Sequence, residues 1–316
     1  MSPGADHGGT GAIAAAFVAN MGIAIAKFAG FLITGSSALL AESIHSLADS
    51  SNQALLFLGG RRARRPPTPL HPFGYGRARY FWSFVVALVL FSLGGLFSVY
   101  EGYQKLIHPH EITSPLVAFG ILGVAIVFES FALATAVRHA QPERRERGWI
   151  EFIRSSRSPE LPVLLMEDTA ALLGLIFATA GIALALVTGN PFFDACGTLA
   201  IGVLLVAVAI VLAIEMKSLL MGEAAAADVI ERIETEIQQG DDVRKVIHLI
   251  TQHLGPEEVL VAAKVEFDSS LSMDALARAI NACEERVRSS VPIARVIYVE
   301  PDLYARGPAP APSHER

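Results

Sequence analysis

The sequence predicts an α-helical membrane protein with six transmembrane helices followed by a cytoplasmic α+β domain, and three observations carry the prediction. Of the 316 residues, 52% are hydrophobic and only 18% are charged, a balance that excludes a purely cytosolic chain. Six apolar stretches, residues 12–34, 38–60, 80–103, 115–137, 160–187 and 192–219, match the roughly 20 residues needed to cross a bilayer core of about 30 Å. The charges are also segregated: residues 222–305 hold sixteen Asp and Glu against eight Lys and Arg, while long stretches before them carry none.

Each span is bounded by charge or by turn residues. The boundaries are Gly35-Ser36-Ser37, the loop from Arg61 to Arg79, His108-Pro109, the loop from Arg138 to Arg157, and Gly189-Asn190-Pro191. The opening MSPGADHGGT lacks a basic n-region, and the run after it is too long for a signal-peptide core, so the first span is expected to be retained. Six arginines (61, 62, 64, 65, 77, 79) follow span two and six more (138, 144, 145, 147, 154, 157) follow span four, whereas the opposite loops contain only Lys105. Arginine-rich short loops stay cytoplasmic. Both termini are therefore expected in the cytoplasm: residues 1–11 as the N-terminus, 12–221 as the membrane domain, 222–305 as the α+β domain and 306–316, rich in Pro and Ala, as a disordered tail.

The acidic region reads as αββαβ. An amphipathic helix over 224–239 precedes strands at 243–253 and 259–267, and Ser272 caps a helix over 273–289 before a last strand at 295–300. A three-stranded sheet with two helices on one face fits that order.

The chemistry lies in polar residues where lipid is expected. The two cysteines, Cys196 and Cys283, lie far apart in the sequence and supply neither a disulfide framework nor a thiolate cluster, so any metal falls to imidazole and carboxylate. Span two contains AESIHSLADSSNQ. His45 and Asp49 are four residues apart and share a helical face, and Glu42 and Asn52 extend that stripe by three residues each way. Span five carries Glu167 and Asp168. Counted from the cytoplasmic ends, Asp49 and Asp168 reach a similar depth near mid-membrane at about 1.5 Å per residue. Neighbours differ by about 100° in azimuth, so only one of Glu167 and Asp168 is expected to face a shared ion while the other pairs elsewhere.

A lone buried polar group is as readily helix glue as a site. Several acidic or imidazole groups at one depth repel unless a cation joins them, which favours a metal or proton site. Glu129 in span four is a further candidate, with Lys27 as a possible counter-charge or a snorkelling lysine. Asp194 and Glu215, near the ends of span six, read as interfacial.

The run TGSSALLAES before HSLAD at 45–49, then HPFGYGRARY at 71–80, with six spans and the αββαβ tail, resembles the cation diffusion facilitator family over about residues 12–302. VLLMEDTAALLG and TGNPFFDACGTLAIG resemble the branch that includes the mitochondrial zinc transporter of animals. The resemblance implies a homodimeric antiporter in a bacterial cytoplasmic membrane. It would export Zn2+ from the cytosol against protons by alternating access, with no cofactor beyond the transported ion. It places His45 and Asp49 on the family's span-two ligands and Asp168 on one of its span-five ligands, with Leu164 where a second ligand usually stands. Glu167, Glu42, Asn52 or water would then complete the shell. It also makes His71 and His248 accessory metal candidates, although Tyr75, Lys264, Tyr298 and Glu300 stand where other members place partners; solvated strand positions are the plainer reading of His248 and His253. Fe2+, Mn2+ or Co2+ could replace Zn2+ at such a site, and a membrane metal sensor without transport would use the same residues. No HExxH pair supports a hydrolase, and neither enzymatic activity nor a nucleic-acid partner is expected.

Overall fold

The computed structural model describes residues 6–109, 114–144 and 146–304, with the side chains of 6–19 and 155 excepted. The expectation of a disordered tail over 306–316 lies outside the described residues, as does that for the first five residues. The chain forms two compact units, Met1–Leu220 and Met221–Arg316.

The first unit is helical: α1 (Asp6–Thr34), α2 (Ser37–Ala63), α3 (Ala78–Val89), a π-helical stretch (Leu90–Leu96), α4 (Phe97–Ile107), α5 (Pro115–Arg144), α6 (Trp149–Ser155), α7 (Glu160–Thr188) and α8 (Phe192–Met221). Four of its helical segments are long and apolar enough to cross a membrane: the continuous rod Ala78–Ile107, then Pro115–Arg144, Glu160–Thr188 and Phe192–Met221. The other two expected spans are also helical but differ in kind. In α1 the described apolar portion runs Asn20–Thr34. Helix α2, 27 residues long, is diluted by serines and by Glu42, His45, Asp49, Asn52 and Gln53. It tolerates them because most of its polar face is turned into protein, the helix packing against α1, α3, the π stretch, α4 and α7. Its Glu42, His45 and Asn52 are fully buried.

Leu39, Val86, Leu90, Leu122, Leu175, Ile182, Leu205 and Leu212 fill the core of this unit. Two glycines permit its tightest features. Gly35, at φ 68°, turns the chain between α1 and α2 in the left-handed region. Gly202 lets α8 approach α4 so closely that a Cβ there would sit 2.7 Å from the backbone nitrogen of Val99.

The second unit contains α9 (Ala227–Gln238), β1 (Val243–Gly255), β2 (Glu258–Phe267), α10 (Met273–Ser290) and β3 (Ala294–Pro301). The sheet order is β1-β2-β3, with β1 antiparallel to β2 and β2 parallel to β3. Strand β2 alternates without exception between half-buried and buried residues. Its Val259, Val261, Ala263, Val265 and Phe267 meet Ile233 and Ile237 of α9 and Ala279, Cys283 and Val287 of α10, as a strand with one covered face requires. Ser272 caps α10, its side chain accepting from the Ala275 amide at 3.3 Å.

Candidate metal centre

The site is built on one face of α2. Glu42, His45, Asp49 and Asn52 fall within one stripe of the helical wheel, and about 15 Å of helix axis separates its ends at 1.5 Å per residue. At one end Lys27 of α1 donates to Glu42 Oε2 at 3.0 Å and to Ser46 Oγ at 2.7 Å. At the other end Asn52 Nδ2 donates to Glu167 Oε1 of α7 at 2.7 Å. Between them His45 Nδ1 lies 3.6 Å from Asp49 Oδ1, beyond hydrogen-bond range. The π stretch covers the imidazole, since a Cβ added at Gly94 would stand 3.8 Å from His45 Nδ1. π-Helical turns inside α-helices concentrate at functional sites.

Among the described residues, five buried polar atoms on this stripe have no hydrogen-bond partner: Glu42 Oε1, both ring nitrogens of His45, Asp49 Oδ1 and Asn52 Oδ1. Each such atom costs about 1–3 kcal/mol when left unsatisfied. All are lone-pair donors to a cation, if the His45 ring is neutral and whichever of its nitrogens carries the proton is set aside. Imidazole nitrogen with carboxylate oxygen suits Zn2+ and its borderline neighbours.

The two carboxylates of α7 diverge, as adjacent helical positions must. Glu167 is buried against α2, while Asp168 is half-buried. Leu164 packs with Ala136, Ala140, Phe152 and Leu165 in a separate apolar cluster. Among the described residues no group of three or more His, Cys, Asp or Glu is gathered closely enough to hold a metal ion. The structure thus brings His45 and Asp49 together and sets the Asn52–Glu167 pair beside them, with Asp168 and Glu129 further round.

Other sequence expectations fall differently. Lys27 neither snorkels nor pairs first with Glu129; it is fully buried on Glu42. Long stems of lysine reach water only from helix ends, and this one points inward. Asp194 lies at the end of α8 as expected, yet it is fully buried. It accepts from Ser36 Oγ at 2.9 Å, Ser37 N at 3.3 Å and Ser37 Oγ at 3.2 Å. The signal that could have found it is the run Gly35-Ser36-Ser37, three small residues able to donate to a carboxylate. His71, exposed, stacks on Tyr75 with ring centroids 4.5 Å apart. His248 is exposed on β1 opposite Lys264. His253 is buried rather than solvated, its Nδ1 3.1 Å from the Gly255 carbonyl.

A family model for the cation efflux transmembrane domain matches residues 13–221. The chain belongs to the cation efflux family. Among family relatives, it is 36% identical over 245 residues to the proton-coupled zinc antiporter SLC30A9, mitochondrial, of Xenopus laevis, covering 77% of this chain and 44% of that protein. It is 28% identical over 247 residues to metal tolerance protein C4 of Arabidopsis thaliana, covering 78% of this chain and 54% of that one. It is 25% identical over 279 residues to the magnetosome protein MamB of Magnetospira sp. strain QH-2, covering 86% and 90%. The chain therefore spans less than half the length of the zinc antiporter it matches. The efflux-family match takes in α2, its polar stripe and both α7 carboxylates.

Proposed function

We propose that this chain transports a divalent metal cation, Zn2+ in exchange for protons, out of the cytosol. The observation that carries the reading is the row of unpartnered lone-pair atoms on α2, buried where lipid would otherwise lie. His45 and Asp49 are the primary ligands, and Glu167, held by Asn52, completes the shell from α7 where Leu164 offers nothing. Asp168 stands one position away, and closure of the site brings it or Glu167 onto the ion. Glu129 supplies background negative charge. The relatives named for zinc antiport and metal tolerance support the substrate class.

Metal ligands must be deprotonated to bind. Uptake of the ion displaces protons from imidazole and carboxylates, and returning protons expel it on the far side, so alternating access around a fixed site couples the two fluxes. Six helices crossing the membrane, with both termini in the cytoplasm, would put the site about midway along α2. The protein would act as a homodimer in a bacterial cytoplasmic membrane.

The test is flux in proteoliposomes loaded with a zinc-sensitive dye under an imposed pH gradient. Zn2+ movement that follows and dissipates the gradient is expected. Saturable zinc binding with no flux would instead establish a sensor, and a preference for Fe2+, Mn2+ or Co2+ in competition would reassign the cargo.

A further inference from the structure

Among its described side chains, helix α1 delivers one charge, that of Lys27, to the interior of the first unit. Lys27 is fully buried and donates to Glu42 Oε2 at 3.0 Å and to Ser46 Oγ at 2.7 Å, so it grips α2 on both sides of His45. The remaining oxygen of Glu42 is unpartnered and sits against Gly174 of α7, which has no room for a Cβ beside it.

A buried ion pair is weak evidence for stability, because the attraction only roughly offsets the loss of hydration. It does, however, fix the local charge. Glu42 and Asp49 lie on the stripe itself and Glu167 is tied to it through Asn52, and a divalent ion facing these carboxylates in a low-dielectric interior would enter readily and leave slowly. Transport demands an affinity weak enough for release.

We propose that Lys27 is a tethered counter-cation that sets the affinity of the site. By occupying Glu42 it confines the transported ion to the His45, Asp49, Asn52 and Glu167 end of the stripe, and its fixed positive charge keeps the ion from being trapped. Lys27 thereby determines how KM and maximal rate are balanced, without itself touching the cargo. The inference rests on the transport reading.

Opposite signs in two single variants test it. Lys27→Gln leaves Glu42 an uncompensated anion, so the KM for Zn2+ should fall about tenfold or more while the maximal flux also falls. Glu42→Gln leaves the ammonium uncompensated, and KM should rise by about tenfold or more. The double variant should move KM back toward the wild-type value from both sides. Proteoliposome flux at buffered free Zn2+, with Zn2+ binding by equilibrium dialysis, reads all three. If both single variants shift KM in the same direction or leave it unmoved, the proposal is overturned. Where one single variant does not fold, the sign of the other decides. Where neither folds, the exchange Lys27→Glu with Glu42→Lys keeps the ion pair but moves the ammonium onto α2; KM should then rise about tenfold, and an unmoved KM overturns the proposal. Wild-type protein that carries no Zn2+ sinks the transport reading itself, whereas wild-type flux with unresponsive variants sinks only the role of Lys27.

Discussion

Two largely buried polar clusters lie in the helical unit, and their hydrogen-bond bookkeeping is opposite. Around Asp194 every oxygen finds a donor: Ser36, Ser37 and the Ser37 amide surround the carboxylate, Thr198 bonds the Asp194 carbonyl at 3.0 Å, and Lys105 reaches the Gly35 carbonyl at 3.2 Å. Along α2, among the described residues, the imidazole of His45 finds no partner on either nitrogen, and Glu42, Asp49 and Asn52 each keep an oxygen unpaired. A satisfied buried network ties segments together. An unsatisfied one is a standing cost that a ligand can remove. Asp194 therefore fastens the α1–α2 turn to α8, and the α2 stripe is where we propose that the ion binds.

Substitutions sharpen that contrast, beginning with the largest effect. His45→Ala or Asp49→Ala should lower Zn2+ flux by at least about a hundredfold, since either removes a ligand of a site already short of donors. Thermal stability should hold or rise, because an unsatisfied polar group is deleted. Asp194→Ala should do the reverse. It strands the Ser36 hydroxyl and the Ser37 amide, while Ser37 Oγ keeps Thr198 Oγ1 at 3.1 Å, and should cost about 2–3 kcal/mol of stability, seen as a lower Tm by scanning fluorimetry, with the KM for Zn2+ unchanged in the protein that remains folded. An Asp194→Ala protein that keeps its Tm but loses zinc affinity would merge the two clusters into one function.

Glu167→Ala is expected to fall between them, raising KM about tenfold through loss of one oxygen ligand. Asp168→Ala, if equal or greater in effect, would show that closure turns α7 to present Asp168 rather than Glu167.

The stripe itself was legible in the sequence because spacing of three and four residues assigns positions to one helical face. The αββαβ order of the second unit was legible for a similar reason: β2 alternates with period two, and Ser272 announces its helix. What spacing leaves open is which neighbour a face meets. Lys27 turned to Glu42 rather than Glu129, and Glu167 rather than Asp168 was bonded to α2, because helix rotation is set by packing against several partners at once. The π stretch at Leu90–Leu96 leaves no mark in an apolar run, and the burial of Asp194 depends on a turn folding over it.

The smallest effect lies in the second unit and serves as a contrast of exposed with buried charge. The Ser270 hydroxyl and amide, with the Arg244 guanidinium at 3.0 Å, hold the Asp268 carboxyl well below the usual carboxylate range. A lowered folded-state value means stability that is present above the ordinary Asp value of about 4 and lost as pH falls through the lowered one. Asp268→Asn should thus lower the Tm by about 1 °C at neutral pH, the scale of an exposed pair. The difference from wild type should shrink below about pH 4, and one that grew with acid would contradict the assignment.

The most direct measurement is calorimetric titration of Zn2+ into detergent-purified protein in two buffers of different ionisation enthalpy. Wild type should bind one ion per chain at the α2 stripe and release protons as it does so, and both the heat and the proton release should vanish in His45→Ala. Undiminished binding, with the same stoichiometry and proton release in His45→Ala, would contradict it.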